Sequence, residues 1–148
     1  MGERMRNNRI QLIRAMRTLN RIDGQYAQMR RAIGVKESLF VLLYACADGE
    51  LRSQKEICEE WYLPRSTLNT VVKEQVKAGN VELVPRGDKQ KDVRLTEAGY
   101  ALAERLIGSL LDAEEDVART CISDGLARDL EAFADGLEEA FGSRNLKN

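Results

Sequence analysis

The segment between Ser53 and Gly79 constrains the fold most, because it starts and ends two short helices within few residues. Ser53 and Glu56 form a capping box, in which the serine hydroxyl accepts from the amide three residues on and the glutamate accepts from the serine amide. This pair predicts a helix over about 53–60. Pro64 suits the first turn of a second helix, where its missing N–H is not needed, and Gly79 suits the end of that helix. The sequence therefore predicts two short helices joined by a tight turn.

A β-hairpin is predicted directly after these helices. Residues 81–85 (VELVP) and 93–95 (VRL) have the pattern of paired strands, and residues 86–91 (RGDKQK) form a polar, glycine-containing loop between them. Thr96 is a suitable N-cap for a helix over about 97–118. Two short helices followed by a hairpin with a polar tip are the arrangement of a winged helix-turn-helix, in which the hairpin is the wing.

Further helices are predicted on both sides of this central part. Residues 8–32 and 124–141 have apolar residues at helical spacing, and residues 37–47 are so apolar throughout that they predict a buried helix. Gly34 suits the end of the first helix. The predicted order is four helices, two strands and two helices, which is a mainly α fold with a small β-hairpin wing.

Charge is distributed unevenly along the chain. The net charge is −1, but residues 1–31 carry eight arginines against two acidic residues, whereas residues 95–148 carry twelve acidic residues against five basic ones. Residues 64–94, which include the second short helix and the hairpin, carry seven basic residues against four acidic ones. A nucleic-acid binder needs a local basic surface rather than a basic whole chain, so the acidic total does not exclude DNA as a partner.

The helix predicted over about 64–79 has two chemically distinct faces. Leu68, Val71, Val72 and Val76 are spaced to form one inward apolar face. The other face carries short hydrogen-bonding side chains and long cations, which suit contacts with base edges and phosphates in DNA. The candidate DNA-contacting residues on this recognition helix are Arg65, Ser66, Thr67, Asn69, Thr70 and Lys73. The alternative interpretation is a plain solvated face.

Residues 53–84 and 86–102 resemble the MarR family of bacterial regulators. The resemblance depends on the Pro-x-x-Thr-x-Asn start of the recognition helix at Pro64, on Gly79 at its end, and above all on the Leu-Thr-Glu-Ala-Gly run at 95–99. The long helices at both ends of the chain are also the family arrangement.

The resemblance implies a single MarR-like domain over residues 1–148. Residues 37–96 would form the winged helix-turn-helix core, and residues 1–33 and 97–148 would supply dimerisation helices. It also implies a homodimer that binds double-stranded DNA at a pseudo-palindromic operator, often as a repressor released by a ligand or oxidant. In such a dimer we expect the interface to include Ile10, Ile13, Leu126, Leu130, Phe133, Leu137 and Phe141.

The wing departs from the pattern that the resemblance implies. Family wings usually carry an Asp-x-Arg pair, whose arginine enters the minor groove, but here Asp88 is followed by Lys89 and then by Gln90. The candidate wing contacts are therefore Gln90 itself and the neighbouring cations, which can bind phosphates: Arg86, Lys89 and Lys91.

A small-molecule effector is a further expectation, in a pocket where the dimerisation helices meet the winged core. Tyr26, Met29, Phe40 and Tyr44 are the candidate lining residues, although plain core packing is the stronger interpretation of their pattern. The adjacent pair of Trp61 and Tyr62 is expected to pack the turn before Pro64.

The three cysteines are Cys46, Cys58 and Cys121, and their spacing fits neither a disulfide framework nor a zinc site. Cys46 and Cys58 fall on apolar helical faces, where a buried inert thiol is usual. Cys121 falls between the last two predicted helices, where we expect exposure. A redox-responsive switch using Cys121 is one alternative function, and a winged-helix module that binds proteins without DNA is another.

An enzyme is not expected, because the chain has no histidine, no glycine-rich phosphate loop and no nucleophile elbow. No cofactor or metal site is predicted. No run approaches the ~18 apolar residues of a membrane helix, and the N-terminus lacks the apolar region of a signal peptide. We therefore expect a cytoplasmic protein with no membrane partner.

Overall fold

The computed structural model describes residues 2–87 and 89–144. Asp88, in the predicted wing loop, and residues 145–148, at the end of the predicted dimerisation region, lie outside the described residues. The mainly α fold with a small β wing is confirmed. The elements are α1 (Glu3–Ile33), α2 (Glu37–Ala45), β1 (Arg52–Ser53), α3 (Gln54–Trp61), α4 (Arg65–Lys77), β2 (Val81–Arg86), β3 (Gln90–Leu95), α5 (Glu97–Cys121) and α6 (Leu126–Ser143).

Contacts divide the chain into two compact units, Met1–Leu110 and Leu111–Asn148. The first unit contains the apolar core, in which α2 is buried as its composition predicts, with Phe40 at 1% exposure. Burial of apolar surface stabilises these short helices, which are too short to persist alone in water. Fully buried aliphatic side chains also come from the surrounding helices: Ile57 from α3, Leu68 from α4 and Ile107 from α5.

The start of α3 has the capping box that the sequence predicts. The Ser53 hydroxyl accepts from the Glu56 amide at 3.2 Å, and Glu56 Oε2 accepts from the Ser53 amide at 2.6 Å. α4 begins directly after Pro64 and ends at Lys77, two residues before Gly79. Gly79 has a φ of 81°, a left-handed conformation that suits glycine and reverses the chain into β2.

The sheet has three antiparallel strands in the order β1-β3-β2, one strand more than the sequence predicts. β1 has only two residues, which pair with Val93 and Asp92 of β3. Both hairpin strands extend further toward the tip than predicted, since Arg86 pairs with Gln90. The sequence predicts a loop at Gln90 and Lys91 because both side chains are polar; in the structure they are exposed residues of β3.

Two helix boundaries and one buried position differ from the prediction. α1 begins at Glu3 rather than near residue 8, because the arginine-rich first turns are good helix formers and need no apolar partner. α5 continues to Cys121 instead of ending near residue 118. Val76 is 39% exposed rather than inward, whereas Leu68, Val71 and Val72 are buried as predicted.

The turn between α3 and α4 contains a second correction. Trp61 packs as expected, with its ring 5.2 Å from the ring of Tyr44. Tyr62 does not pack the turn: its side chain is 95% exposed and its φ is 50°. The turn between α3 and α4 is short because Tyr62 adopts a left-handed backbone conformation. That conformation is unfavourable for a residue with a Cβ, so the residue type did not predict it.

A close contact connects the end of α4 with the start of α5, at the Leu-Thr-Glu-Ala-Gly run. The Thr96 hydroxyl donates to the Gly79 carbonyl at 2.6 Å and accepts from the Gly99 amide at 3.1 Å. The Thr96 amide also donates to the Asn80 carbonyl at 3.0 Å. A Cβ on Gly99 would overlap the Asn80 carbonyl oxygen, so glycine permits this approach.

The second unit contains the end of α5 and all of α6. None of the described residues of α6 is buried, and its apolar stripe is half-buried or exposed. Leu130 is 41% exposed and Phe141 is 55% exposed. The predicted roles of residues 1–33, 37–96 and 97–148 within a single domain stay a prediction.

The contact at Gly99 predicts that Gly99→Ala lowers stability by about 1–3 kcal/mol, the usual cost of forcing an extra methyl into a packed site. Thermal or urea unfolding measures it. Gly24→Ala is the matched control, because Gly24 lies within α1 with nothing within 4 Å of an added Cβ. We expect the control to leave stability unchanged or to raise it, since alanine is the better helix former. Equal stability of both variants would contradict the packing role of Gly99.

Candidate nucleic-acid interface

The outward face of α4 is polar and fully available to solvent. All six recognition-helix candidates are exposed, while Leu68, Val71 and Val72 fix the opposite face in the core. The Thr70 hydroxyl donates to the Ser66 carbonyl at 2.9 Å, a local bond that leaves its oxygen free to accept. The exposed candidates are Arg65, Ser66, Thr67, Asn69, Thr70 and Lys73.

The wing candidates fall into two groups. Lys89, Gln90 and Lys91 are exposed near the tip of the hairpin. Arg86 instead points back to the body of the unit, where its Nη1 donates to both carboxylate oxygens of Glu56 at 3.1 and 3.2 Å. Glu56 also closes the capping box, so one carboxylate connects the wing to the start of α3.

Asp92, in the middle of β3, forms a charged cluster together with Glu56 and Arg86. It is only 4% exposed, and its Oδ2 lies 3.5 Å from Arg86 Nε. Its Oδ1 has no hydrogen-bond partner among the described residues. A buried carboxylate without a cation is strongly unfavourable, so Arg86 has a structural partner that the sequence pattern alone did not indicate.

The ion pairs and hydrogen bonds of this cluster shift pKa values so that the charged forms are favoured. The pKa of Glu56 falls from the usual 4.5 to about 2, mainly because its carboxylate accepts from the Ser53 amide and then from Arg86. The same pairing with Glu56 raises the pKa of Arg86. A second pair lies nearby: Arg52 of β1 binds both carboxylate oxygens of Asp48, at 2.8 and 2.7 Å, and the Arg52 hydrogen bond lowers the pKa of Asp48.

A cleft of about 280 Å³ separates the wing from the starts of α3 and α4. Lys55 is not among the contacts predicted from the sequence, and no sequence signal shows that it meets the wing. We call this site the lysine cleft. Its lining residues are Ser53, Gln54, Lys55, Arg65, Leu83, Lys89, Gln90 and Lys91.

The four effector-pocket candidates lie in the first unit, where Tyr44 contacts two of the others. The Tyr44 ring stacks on Phe40 at 5.5 Å and meets Tyr26 edge-on at 6.4 Å between centroids. Arg30 lies over the Phe40 ring at 5.5 Å, and Met29 is half-buried. These contacts favour aromatic core packing, and an effector pocket stays a prediction.

Cysteine placement agrees with the sequence prediction. Cys46 and Cys58 are buried, and Cys121 is exposed at the end of α5. Burial raises the pKa of the Cys46 thiol to about 11 and also raises the pKa of Cys58, which disfavours the reactive thiolate. The Cys121 sulfur lies 3.4 Å from the Thr120 hydroxyl.

Across residues 2–87 and 89–144, no three side chains of histidine, cysteine, aspartate or glutamate lie together as metal ligands. No helix in this part of the chain combines the length and apolar character needed to span a bilayer.

The predicted dimerisation residues are not buried in their own units. Ile10 and Ile13 are 55% and 51% exposed on α1, and Phe133 and Leu137 are half-buried on α6. No residue of α1 is buried at all. Both helices therefore present apolar side chains to solvent in the isolated chain.

The tight α3–α4 turn, the exposed polar face of α4 and the adjacent β2–β3 hairpin define a winged helix-turn-helix protein. Known structures agree with this class. A MarR family regulator from Neisseria meningitidis is 27% identical, with a TM-score of 0.72 over 91% of this chain and 99% of that one. The chain therefore has the fold of the MarR family of winged helix-turn-helix regulators, which confirms the resemblance found in the sequence.

Two more distant structures share the fold alone. A MarR family transcriptional regulator from Silicibacter pomeroyi is 20% identical, with a TM-score of 0.59 over 90% of this chain and 92% of that one. The transcriptional regulator BldR from Sulfolobus solfataricus is 15% identical, with a TM-score of 0.55 over 94% and 99%. No protein-family model matches the sequence, and no curated protein matches it significantly.

The lowered pKa of Glu56 predicts a specific loss of stability in acid. A carboxylate whose pKa falls on folding stabilises the fold above its unfolded pKa, and that contribution is lost as the pH falls from 4.5 toward 2. Glu56→Gln should reduce the steepness of this loss. Urea unfolding of both proteins from neutral pH into this range measures the difference.

Glu59→Gln is the matched control, because Glu59 is exposed on the same helix and its ion pair with Lys55 is long, at 3.7 Å. We expect this variant to follow the wild type. A Glu56→Gln protein with the same pH profile as the wild type would contradict the role of Glu56 in joining wing and helix.

Proposed function

We propose that the protein is a cytoplasmic, homodimeric transcriptional regulator that binds a pseudo-palindromic DNA operator, most simply as a repressor. The observation that carries this proposal is the exposed polar face of α4, fixed by a buried apolar face on a fold shared with MarR regulators. A helix of this width fits the major groove, where each base pair presents a distinct pattern of donors and acceptors.

Asn69 is the best candidate for direct base recognition. It lies on the exposed face of α4, in the half of the helix nearest its start, where recognition helices contact base edges. The asparagine amide pairs with adenine through two hydrogen bonds. Ser66, Thr67 and Thr70 lie around it and are suited to short contacts with bases or phosphates.

The dimer is supported by two independent features of the separate units. α1 and α6 each expose apolar side chains that no described part of their own unit covers. Their charges are also complementary, since α1 carries eight arginines while α6 is rich in aspartate and glutamate. Apolar burial between copies would supply affinity, and the charges would favour a defined register rather than much stability.

Asn69→Ala should reduce discrimination between operator and random DNA by roughly 5- to 150-fold, since one good base contact contributes about 1–3 kcal/mol of discrimination. Electrophoretic mobility shift with DNA from upstream of the protein's own coding sequence, against a random duplex, measures the ratio. Lys77→Ala, at the far end of the same helix, is the control and should leave the ratio unchanged.

An unchanged ratio for Asn69→Ala would remove Asn69 from base recognition. Absence of any wild-type shift at low salt would reject DNA binding itself and favour a winged-helix module that binds proteins.

Ile13→Glu on α1 and Phe141→Glu on α6 should each weaken dimerisation by at least about tenfold, because each loses an apolar contact of about 1.5–3 kcal/mol and places a charge against an apolar surface. Both positions are exposed in the single chain, so folding should persist. Sedimentation velocity over a concentration series measures the monomer–dimer equilibrium, with circular dichroism as the folding check.

Gln11→Glu is the matched control, since it adds the same charge to an exposed polar position on the same helix. Unchanged dimerisation in both apolar variants would show that the interface lies elsewhere.

A further inference from the structure

The lysine cleft brings together three segments that are far apart in the sequence. Lys55 comes from the first turn of α3, Arg65 begins α4, and Lys89 and Lys91 come from the wing. Among its described lining residues there are four cations and no carboxylate. This is a concentrated positive site beside the start of the recognition helix.

Few carboxylates of the described residues compete for the four cations of the lysine cleft. No described carboxylate lies within 4.0 Å of the charged atoms of Arg65, Lys89 or Lys91. Lys55 has only its exposed 3.7 Å pair with Glu59, which contributes little in water.

By contrast, the two other cations of the hairpin are paired. Arg86 binds Glu56 and Asp92, and Arg94 binds Glu82 across the strands at 2.7 Å. The Glu82–Arg94 pair follows the antiparallel register, in which these two residues are opposite each other. Arg65, Lys89 and Lys91 therefore lack a carboxylate partner among the described residues, whereas the two hairpin arginines have one.

We infer that the lysine cleft holds one phosphate of the DNA backbone while α4 occupies the adjacent major groove. This inference rests on the proposed DNA binding. A phosphodiester suits the site because its two free oxygens accept charge-assisted hydrogen bonds from several lysines or an arginine at once. The volume of about 280 Å³ accommodates such a group together with water.

The inference changes the expected roles of three residues. Arg65 becomes a phosphate contact rather than a reader of bases. Lys55, on the first helix of the helix-turn-helix, becomes part of the DNA interface. Arg86 becomes a positioning residue, which holds the wing against α3 so that the lysine cleft keeps its shape.

The test compares Lys55→Ala, Arg65→Ala and Lys89→Ala with Lys36→Ala, an exposed lysine at the start of α2 outside the cleft. The affinity of each for upstream DNA and for a random duplex is measured across a salt series. Each cleft variant should weaken binding to both duplexes by the same factor and reduce the slope of log affinity against log salt by up to about 1, the contribution of one phosphate. Lys36→Ala should match the wild type.

Two further measurements distinguish one shared phosphate from several separate ones. The double variant Lys55→Ala/Lys89→Ala should lose less affinity than the product of the two single losses, because both side chains bind the same group. Ethylation of that phosphate should weaken wild-type binding by a larger factor than it weakens binding by the double variant Lys55→Ala/Lys89→Ala. Inorganic phosphate added without DNA should not protect the cleft lysines from acylation; protection would indicate a free-anion site instead and overturn the inference.

The outcomes separate this inference from the proposed function. Wild-type binding with unchanged salt slopes in the cleft variants would overturn the lysine cleft alone. Changed operator preference in Arg65→Ala would return Arg65 to base recognition and also overturn the inference. A wild type that shifts no duplex at low salt would reject both.

Discussion

The Glu56 carboxylate is the interaction on which the winged part of the structure depends. It accepts from the Ser53 amide, which starts α3, and from Arg86, which lies at the end of β2. Arg86 in turn neutralises the buried Asp92 of β3. Helix start, wing and sheet are thus connected through one acidic group that is itself only half-exposed. Such a charge-assisted network defines geometry more than it adds stability, because Glu56 and Arg86 stay partly exposed to water while the buried Asp92 has lost its hydration.

Local chemistry explains why much of the fold could be predicted from the sequence. Several sequence signals affect only the residues next to them, so they indicate where helices begin and end. These signals are the capping box, Pro64, Gly79 and the Leu-Thr-Glu-Ala-Gly run. β1 could not be predicted, because a two-residue strand exists only through pairing with β3, some forty positions later. The exposure of Tyr62 was also missed, since it follows from a backbone conformation that the residue type disfavours.

The candidate interface shows the same limit. The polar face of α4 could be recognised from helical spacing alone, because all of its residues belong to one helix. Arg86 looked equivalent to the wing lysines, since the sequence gives no sign of a carboxylate 30 residues earlier that binds it. Lys55 looked like an ordinary surface residue, because its distance from the wing is set by the packing of α3 against the sheet. The charges in the sequence therefore identify the wing as basic. The contacts in the structure are needed to distinguish Arg86, which binds carboxylates, from Lys89 and Lys91, which do not.

The sheet has a further property that follows from its strand order and from Pro85. β2 is an edge strand, and proline supplies no N–H, so its outer row of donors is interrupted. The opposite edge, β1, is only two residues long. Neither edge offers an extended template to which another polypeptide strand can add. The sheets of separate copies of the protein therefore have no long edge through which to join into aggregates.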